Sequence, residues 1–476
     1  MNGNPPNHLT RREFLAVSAG VVVAAVPAAP LSSGAPSAGT RPANGRPNFL
    51  FILTDDQRHD AMGCAGNPHI RTPNLDALAA RGMRFRNGFV TLSICSPSRA
   101  ACLTGNYGSV NGVTVLGAGL SRGQATFAHR LKQQGYRTGQ IGKWHIATRP
   151  GECGFDASDG RPSGDGERSA PGAGSPPPRI ERGGEDAKAA RAIQFLRDAA
   201  KRDQPFLLWL CTNVPHMPWN PRKETLALYD EGKLPVPGNH TDDLAGKPAY
   251  LKTNRNRKNG QAMGYGEGDG IRKQKRQYYA AITDMDTSMG KVLADLDRLG
   301  LRDNTYVFWM GDNGWLLGEH GFSSKVLPYE PSIRVPFLVA GPGVRPGSTD
   351  DHLVLNIDWA PTMLELAGAP AKDMHGRSLV PLLRGQKADW RPQFLYEAPK
   401  SELDSRPLYA VRTERWKYIH TLPADDVPGG FEELYDLSKD PDEWHNVAAD
   451  PSAQDVKKQL KQDLERWRKE LSMKPA

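Results

Sequence analysis

The stretch from Asn48 to Leu53 is almost wholly apolar and stops at Thr54-Asp55-Asp56. A short run of this kind, without alternation, predicts a strand buried on both faces of a parallel sheet. Phe206 to Cys211, Tyr306 to Met310 and Val335 to Ala340 repeat the pattern. Between them apolar positions recur at helical spacing. Thr72-Pro73-Asn74-Leu75-Asp76 opens one helix, stopped by Gly82, and Ala187 to Ala200 forms another. Tyr279, Ile282, Met285, Met289, Val292, Leu293, Leu296 and Leu299 mark a long amphipathic helix closed by Gly300. Strands alternating with helices predict an α/β fold over residues 47–375, a large mostly parallel sheet with helices on both faces. From Gly376 to the end, residues 376–476, the pattern predicts a smaller C-terminal α+β subdomain with a short antiparallel sheet. Its strands are expected over Tyr409 to His420 and Glu433 to Leu437. A last helix carries Val456, Leu460, Leu464, Trp467 and Leu471.

Two stretches read as loops. Ala157 to Gly184 is crowded with Gly, Pro and Ser. Lys252 to Arg276 is rich in Lys and Arg and reads as a solvated, mobile surface segment, or as a rim attracting anions. At the N-terminus, Arg11-Arg12 precedes an apolar run from Ala16 to Ala29, the order of a twin-arginine export signal over residues 1–30. Residues 31–46, rich in Ser, Gly, Ala and Pro, then form a flexible linker. The run is shorter than the roughly 20 apolar residues that span a bilayer, and no cysteine follows it for lipid anchoring. The expected protein is therefore exported, periplasmic or extracellular, with no stable membrane insertion.

Composition narrows the classes further. Of 476 residues, 38 % are hydrophobic and 24 % charged, with 49 Gly and 39 Pro. Those values suit a large buried core and exclude collagen-like and coiled-coil chains. A net charge of +8 is modest for this length; it favours anionic partners but no nucleic acid, which would need a focused basic face with base-reading groups. Five cysteines, an odd number, exclude a disulfide scaffold.

In open α/β sheets ligands gather at the carboxyl ends of strands. Asp55-Asp56 and Asp312-Asn313 follow two of the predicted strands. Three carboxylates and an amide converging there would call for a hard divalent cation, Ca2+ or Mg2+, although Asp and Asn also form ordinary turns and caps. Between the pairs lies Cys95-Ser96-Pro97-Ser98-Arg99, a helix start with Arg99 one turn beyond Cys95. A thiolate phosphatase loop would need arginine six positions after the cysteine, where Ala101 stands. An unmodified Cys95 reads as a small buried hydrophobe.

Cys95-Ser96-Pro97-Ser98-Arg99 followed by Leu103-Thr104-Gly105 resembles the signature of the type I sulfatases, the formylglycine-dependent branch of the alkaline-phosphatase-like superfamily. The resemblance extends through Thr54 to Arg58, Gly142-Lys143-Trp144-His145, Pro215-His216, Gly311 to Gly314, Gly318 to Gly321, Lys325, Tyr329 to Pro336, and Glu433 to Leu437. Cys102, Gly311 and Ala147 depart from the usual residues without removing a charged group. The resemblance implies that a separate formylglycine-generating enzyme oxidises Cys95 to Cα-formylglycine. It implies a cation held by Asp55, Asp56, Asp312 and Asn313, beside side chain 95. The hydrated aldehyde would attack sulfur; Arg99 and Lys143 would stabilise negative charge. His216 with Lys325 would hold the sulfate and protonate the departing oxygen, and His145 would take the proton that expels sulfate. Lys143, His216, Lys325 and His320 would line the substrate pocket, with Gln57 and Arg58 as weaker candidates. Trp219 would stack on a sugar or, more simply, pack. The implied reaction is hydrolysis of sulfate monoesters on a carbohydrate, the partner being a sulfated small molecule or glycan. The alternatives are a phosphonate monoester or phosphodiester hydrolase of the same superfamily, and a non-catalytic binder of anionic glycans.

Overall fold

The computed structural model describes residues 45–159 and 184–471. The expected export signal, nearly all of the linker, and most of the Gly/Pro-rich loop lie outside these residues.

Strand β1 (Asn48–Thr54) sits inside an eight-stranded sheet with β2 (Met83–Phe85), β3 (Arg137–Gly142), β4 (Ala157–Ser158), β5 (Phe206–Cys211), β6 (Thr305–Gly311), β7 (Phe337–Ala340) and β8 (Ser348–Asp350). The order is β8-β2-β7-β6-β1-β5-β3-β4. Strands β6, β1, β5 and β3 are adjacent and parallel, with Leu53 beside Cys211 and Met310, and Gly142 beside Cys211. Four consecutive carboxyl ends therefore open along one edge of the sheet.

The apolar runs are explained by burial on both faces. Phe49, Phe51 and Leu53 point into one cluster, which includes Ala100 and Leu103 of helix α2 (Cys95–Thr104), Phe127 and Leu131 of α3 (Phe127–Gln133), and Trp359 and Leu364 of α7 (Trp359–Leu366). Leu50 and Ile52 point the other way. They meet Leu75 of α1 (Pro73–Ala80), Leu196 of α4 (Gly184–Ala200), and Ile282, Met285 and Met289 of α6 (Asp269–Arg298). Each face of β1 is thus covered by helices, as a mostly parallel sheet requires.

The C-terminal region forms an antiparallel sheet, β9 (Gln393–Ala398), β10 (Leu408–Thr413), β11 (Trp416–Thr421) and β12 (Phe431–Asp436), with helix α8 (Gln454–Glu470). Both faces of this sheet are buried: Phe394 and Tyr396 on one face, and Val411, Tyr418 and Leu434 on the other, belong to the same apolar cluster as Phe49 and Phe51. One core therefore serves both parts.

Three expectations are corrected. The strand expected over Val335 to Ala340 runs antiparallel to β6 and β2. The chain leaves β6 at the carboxyl edge, spends residues 312–336 there, and re-enters from that same edge, so it can only run back. Tyr409 to His420 is a hairpin of two strands, turned at Glu414-Arg415. Lys252 to Arg276 is largely helical, comprising α5 (Arg255–Ala262) and the first turns of α6. Asn256 and Lys275 in that stretch are buried beside Tyr265 and Ile271, so polar side chains share the docking and too few apolar residues remain to form the stripe by which helices are recognised in sequence.

Candidate active site

The four parallel strand ends each deliver part of one cluster. After β1 come Asp55 and Asp56; after β6 come Asp312 and Asn313; after β3 comes Lys143; and the loop after β5 brings His216. Gly142 is required at its position: it has φ 91°, and a Cβ there would lie 1.9 Å from the Cys211 carbonyl oxygen. Gly314 is needed for close approach, since its Cβ would meet the Pro331 carbonyl at 2.1 Å. Asp56 adopts φ 66°, a conformation Asp tolerates better than most residues. Its carbonyl accepts a 2.6 Å bond from Tyr278 of α6.

Helix α2 supplies the rest. Its start at Cys95 and its stop at Gly105, in the left-handed region, leave all ten residues buried. Cys95 lies in the first turn, with Sγ 3.3 Å from Asp55 Oδ1, 2.8 Å from Lys325 Nζ and 3.8 Å from Lys143 Nζ. One turn on, Arg99 donates to Asp312 Oδ2 at 2.9 Å and to the Lys143 carbonyl at 2.6 Å. Lys143 Nζ is 2.5 Å from Asp55 Oδ2, and Lys325 Nζ contacts Asp56 Oδ1 and lies 3.3 Å from Asn313 Oδ1. His216 Nε2 stands 3.8 Å from Asp56 Oδ2. Its side chain, about one-third exposed, faces the opening. A small cavity of about 30 Å3 adjoins it, lined also by Trp219, Asn220 and Arg222.

Electrostatics follow from this burial. Burial pushes the Asp55 carboxyl up, but Lys143, His216, Arg99 and Lys325 outweigh it and hold the group well below the usual range. Burial and the neighbouring Asp55 carboxylate push Asp312 up to about 6 against Arg99 and Lys325. Burial alone would lower Lys325, yet Asp56, Cys95 and Asp55 hold it well above the ordinary lysine range. Burial and Asp55 raise the Cys95 thiol despite the two ammonium groups, so this cysteine is not primed as a thiolate nucleophile. Burial lowers His216 below the ordinary imidazole value against the pull of Asp56.

The ligand atoms of Asp55, Asp56, Cys95 and Asp312 lie within 4.8 Å of one another, all buried. Asp56 Oδ2 is buried without a hydrogen-bond donor. A hard-oxygen set with an unsatisfied carboxylate oxygen fits a divalent cation such as Ca2+ or Mg2+, and the side chain at 95 is within reach of the same set.

The remaining candidates sit differently. His145 is half-buried with φ 64°, its carbonyl bonded to the Ser96 hydroxyl. His320 is buried among other partners. Its Nδ1 is 2.7 Å from Asp242 and its Nε2 3.3 Å from Asn239, and burial pushes it down to about 4. Gln57 Oε1 accepts from Thr54 and Trp309, and Arg58 pairs with Asp60 and Glu319; both brace the loop after β1. The Trp219 indole N–H bonds to the Pro215 carbonyl, and its ring meets Tyr278 edge-on at 5.6 Å. Trp315 was not expected here. Its ring lies 6.4 Å from His216 and 5.8 Å from Lys325 Nζ, and its place directly after Asp312-Asn313-Gly314 is the signal that could have revealed it.

The chain is similar to known proteins along most of its length. Residues 47–369 match the family model described as Sulfatase, and residues 318–470 match that of N-sulphoglucosamine sulphohydrolase, C-terminal. An N-acetylglucosamine-6-O-sulfatase of Bacteroides thetaiotaomicron is 30 % identical over 89 % of this chain and 87 % of its own. A choline-sulfatase of Rhizobium meliloti is 29 % identical over 86 % of this chain and 83 % of its own. The solved structure of BT4656 in complex with its substrate D-glucosamine-2-N,6-O-disulfate superposes with a TM-score of 0.78 at 28 % identity, covering 90 % of this chain and 98 % of that one.

Proposed function

Because this chain belongs to the sulfatase family and is a sulfuric ester hydrolase, we propose that it removes sulfate from carbohydrate monoesters with the cluster around side chain 95. The observation that carries this reading is a single buried knot. The Cys95 side chain touches Asp55 and Lys325, while Arg99, Asp312, Asp56 and Asn313 close around it. A thiol held neutral in that knot makes a poor nucleophile, which supports conversion of Cys95 to formylglycine by a maturation enzyme. When bound, a divalent cation polarises a sulfate oxygen and the formylglycine supplies the attacking hydroxyl. Asp55, Asp56, Asp312 and Asn313 would hold the cation.

The chain's own groups divide the remaining work. Arg99 and Lys143 place fixed positive charge where negative charge grows, and their burial makes that charge effective. Lys325 and His216 flank Asp56, His216 from the more exposed side, so they would hold the sulfate and deliver a proton to the departing oxygen. His145 would remove the proton that releases sulfate. A carbohydrate is favoured because the N-acetylglucosamine-6-O-sulfatase and the glucosamine disulfate complex both align over nearly the whole chain. Export through the N-terminal leader accords with such a substrate. Among the described residues no helix is long and apolar enough to cross a membrane.

The test is release of inorganic sulfate from defined sulfated saccharides, glucosamine 6-sulfates among them, by matured protein. Faster turnover of a phosphodiester than of any sulfate ester would instead favour phosphonate or phosphodiester hydrolysis. Two further outcomes are expected. The peptide containing residue 95 from active protein is lighter than its free-thiol form by mass spectrometry. Prolonged chelation lowers turnover at least about tenfold, and adding Ca2+ or Mg2+ restores it; elemental analysis should show the metal leaving and returning with activity.

A further inference from the structure

Lys325 is presented by an unusual backbone. His320 (φ 55°), Ser324 (φ 110°) and Val326 (φ 80°) all lie at positive φ, a conformation costly for any residue with a Cβ and most of all for a branched one. Such strain persists only where the surroundings hold it.

For Val326 the holders are two side chains. Its N–H donates to Ser93 Oγ at 3.2 Å, and its carbonyl accepts from the Tyr396 hydroxyl at 2.5 Å. The same phenolic oxygen accepts from the Ser93 N–H at 3.2 Å and lies 2.8 Å from Ser93 Oγ. Ser332 Oγ completes the group, 2.9 Å from Ser93 Oγ. Ser93, Ser332 and Tyr396 are fully buried. Donors and acceptors balance in one direction: Tyr396 gives its proton to Val326, Ser93 gives its own to Tyr396, and Ser332 gives its own to Ser93.

The three parts of this knot come from distant places. Ser93 is two residues before Cys95, Val326 follows Lys325, and Tyr396 lies on β9 of the C-terminal sheet. The opposite flank is held too: Asn256 Nδ2 donates to the Lys325 carbonyl at 3.1 Å, and Arg257 to the His320 carbonyl at 2.7 Å.

We propose that Tyr396, acting with Ser93, is a positioning residue that holds the Lys325 ammonium between side chain 95 and Asp56. The inference rests on the reading that Lys325 serves the departing oxygen. When the S–O bond breaks, an alcohol leaving group needs a proton as it takes the bonding electrons, whereas 4-nitrophenolate leaves without one. Loss of the Tyr396 hydroxyl should therefore harm the two kinds of ester unequally.

The experiment compares matured wild type, Tyr396→Phe, Ser93→Ala and Tyr418→Phe on a sugar 6-sulfate and on 4-nitrophenyl sulfate. Tyr418 lies in the same sheet with its hydroxyl on Glu432, so Tyr418→Phe controls for a lost buried hydroxyl remote from Lys325. Because Lys325 also holds the sulfate, both esters should slow, but Tyr396→Phe and Ser93→Ala should each lower kcat on the sugar ester at least about tenfold more than on the aryl ester, with Tyr418→Phe unchanged in the ratio. Equal losses on both esters, or none, would overturn the positioning role while leaving the sulfatase reading intact. Absence of sulfate release by wild type from either ester would overturn that reading instead. If Tyr396→Phe fails to fold, Ser93→Ala decides alone.

Discussion

Cys95→Ala is expected to lower turnover of a sulfate ester by at least about 10⁴-fold while leaving the melting temperature nearly unchanged. The fold tolerates the change because Sγ is one atom in a pocket whose other walls are charged groups paired with one another. Arg99 keeps Asp312, and Lys143 keeps Asp55. The chemistry does not tolerate it, because no other side chain near Asp55 and Lys325 can become an aldehyde. Cys95→Ser is the sharper companion: it restores an oxygen beside Lys325, yet without oxidation to the aldehyde it should remain inactive. The checks are initial rates with a defined sulfate ester and a thermal melt on the same preparations. Retention of more than about one-tenth of the activity in Cys95→Ala would remove residue 95 from the reaction.

Lys417→Met is expected to cost about 3–5 kcal/mol of stability. Lys417 is wholly buried on β11. Its Nζ lies 2.6 Å from Glu443 Oε1 and 2.8 Å from Glu330 Oε1, and donates to the Pro328 carbonyl at 2.8 Å. Arg412 holds Glu330 from the other side, at 2.9 Å, so removing Lys417 strands Glu443 more than Glu330. Breaking one partner of such a group costs more than the group is worth intact, since a buried charge is left without compensation. The double variant Lys417→Met with Glu443→Gln should accordingly regain at least about 1 kcal/mol over the single. Urea unfolding monitored by tryptophan fluorescence reads both values. A single variant within about 1 kcal/mol of wild type would show that water or a neighbouring group replaces the ammonium.

What the sequence made legible follows from what each element buries. Strands β1, β5 and β6 stand out because both faces are covered, so every position is apolar and no alternation disguises them. The residues at their carboxyl ends were therefore visible as chemistry at strand ends, and the structure brings Asp55, Asp56, Asp312, Asn313, Cys95, Arg99, Lys143, Lys325 and His216 together. Helix α5 was illegible for the opposite reason. It docks through Asn256 and caps itself with Asn254, whose side chain accepts from the Arg257 N–H, and its outer positions are charged or amide residues and one alanine, with no apolar stripe. Strand β9 was overlooked because a six-residue run between loop-forming stretches carries little pattern. His320 was placed in the substrate pocket by resemblance; its engagement with Asp242 and Asn239 depends on contacts 78 and 81 residues away in sequence. No local pattern reports such contacts.

The position of β1 has a bearing on how the chain reaches its native state. Its rungs to β6 join residues as remote as Asn48 and Thr305, whose side chains meet across 257 intervening steps of sequence. The first strand among the described residues thus waits for about 250 further residues before its second edge closes. Loop-closure entropy of that size must be met before the centre of the sheet gains anything in return. Until then an apolar edge stays uncovered, so slow refolding is the expected consequence of placing this early strand at the middle of the sheet.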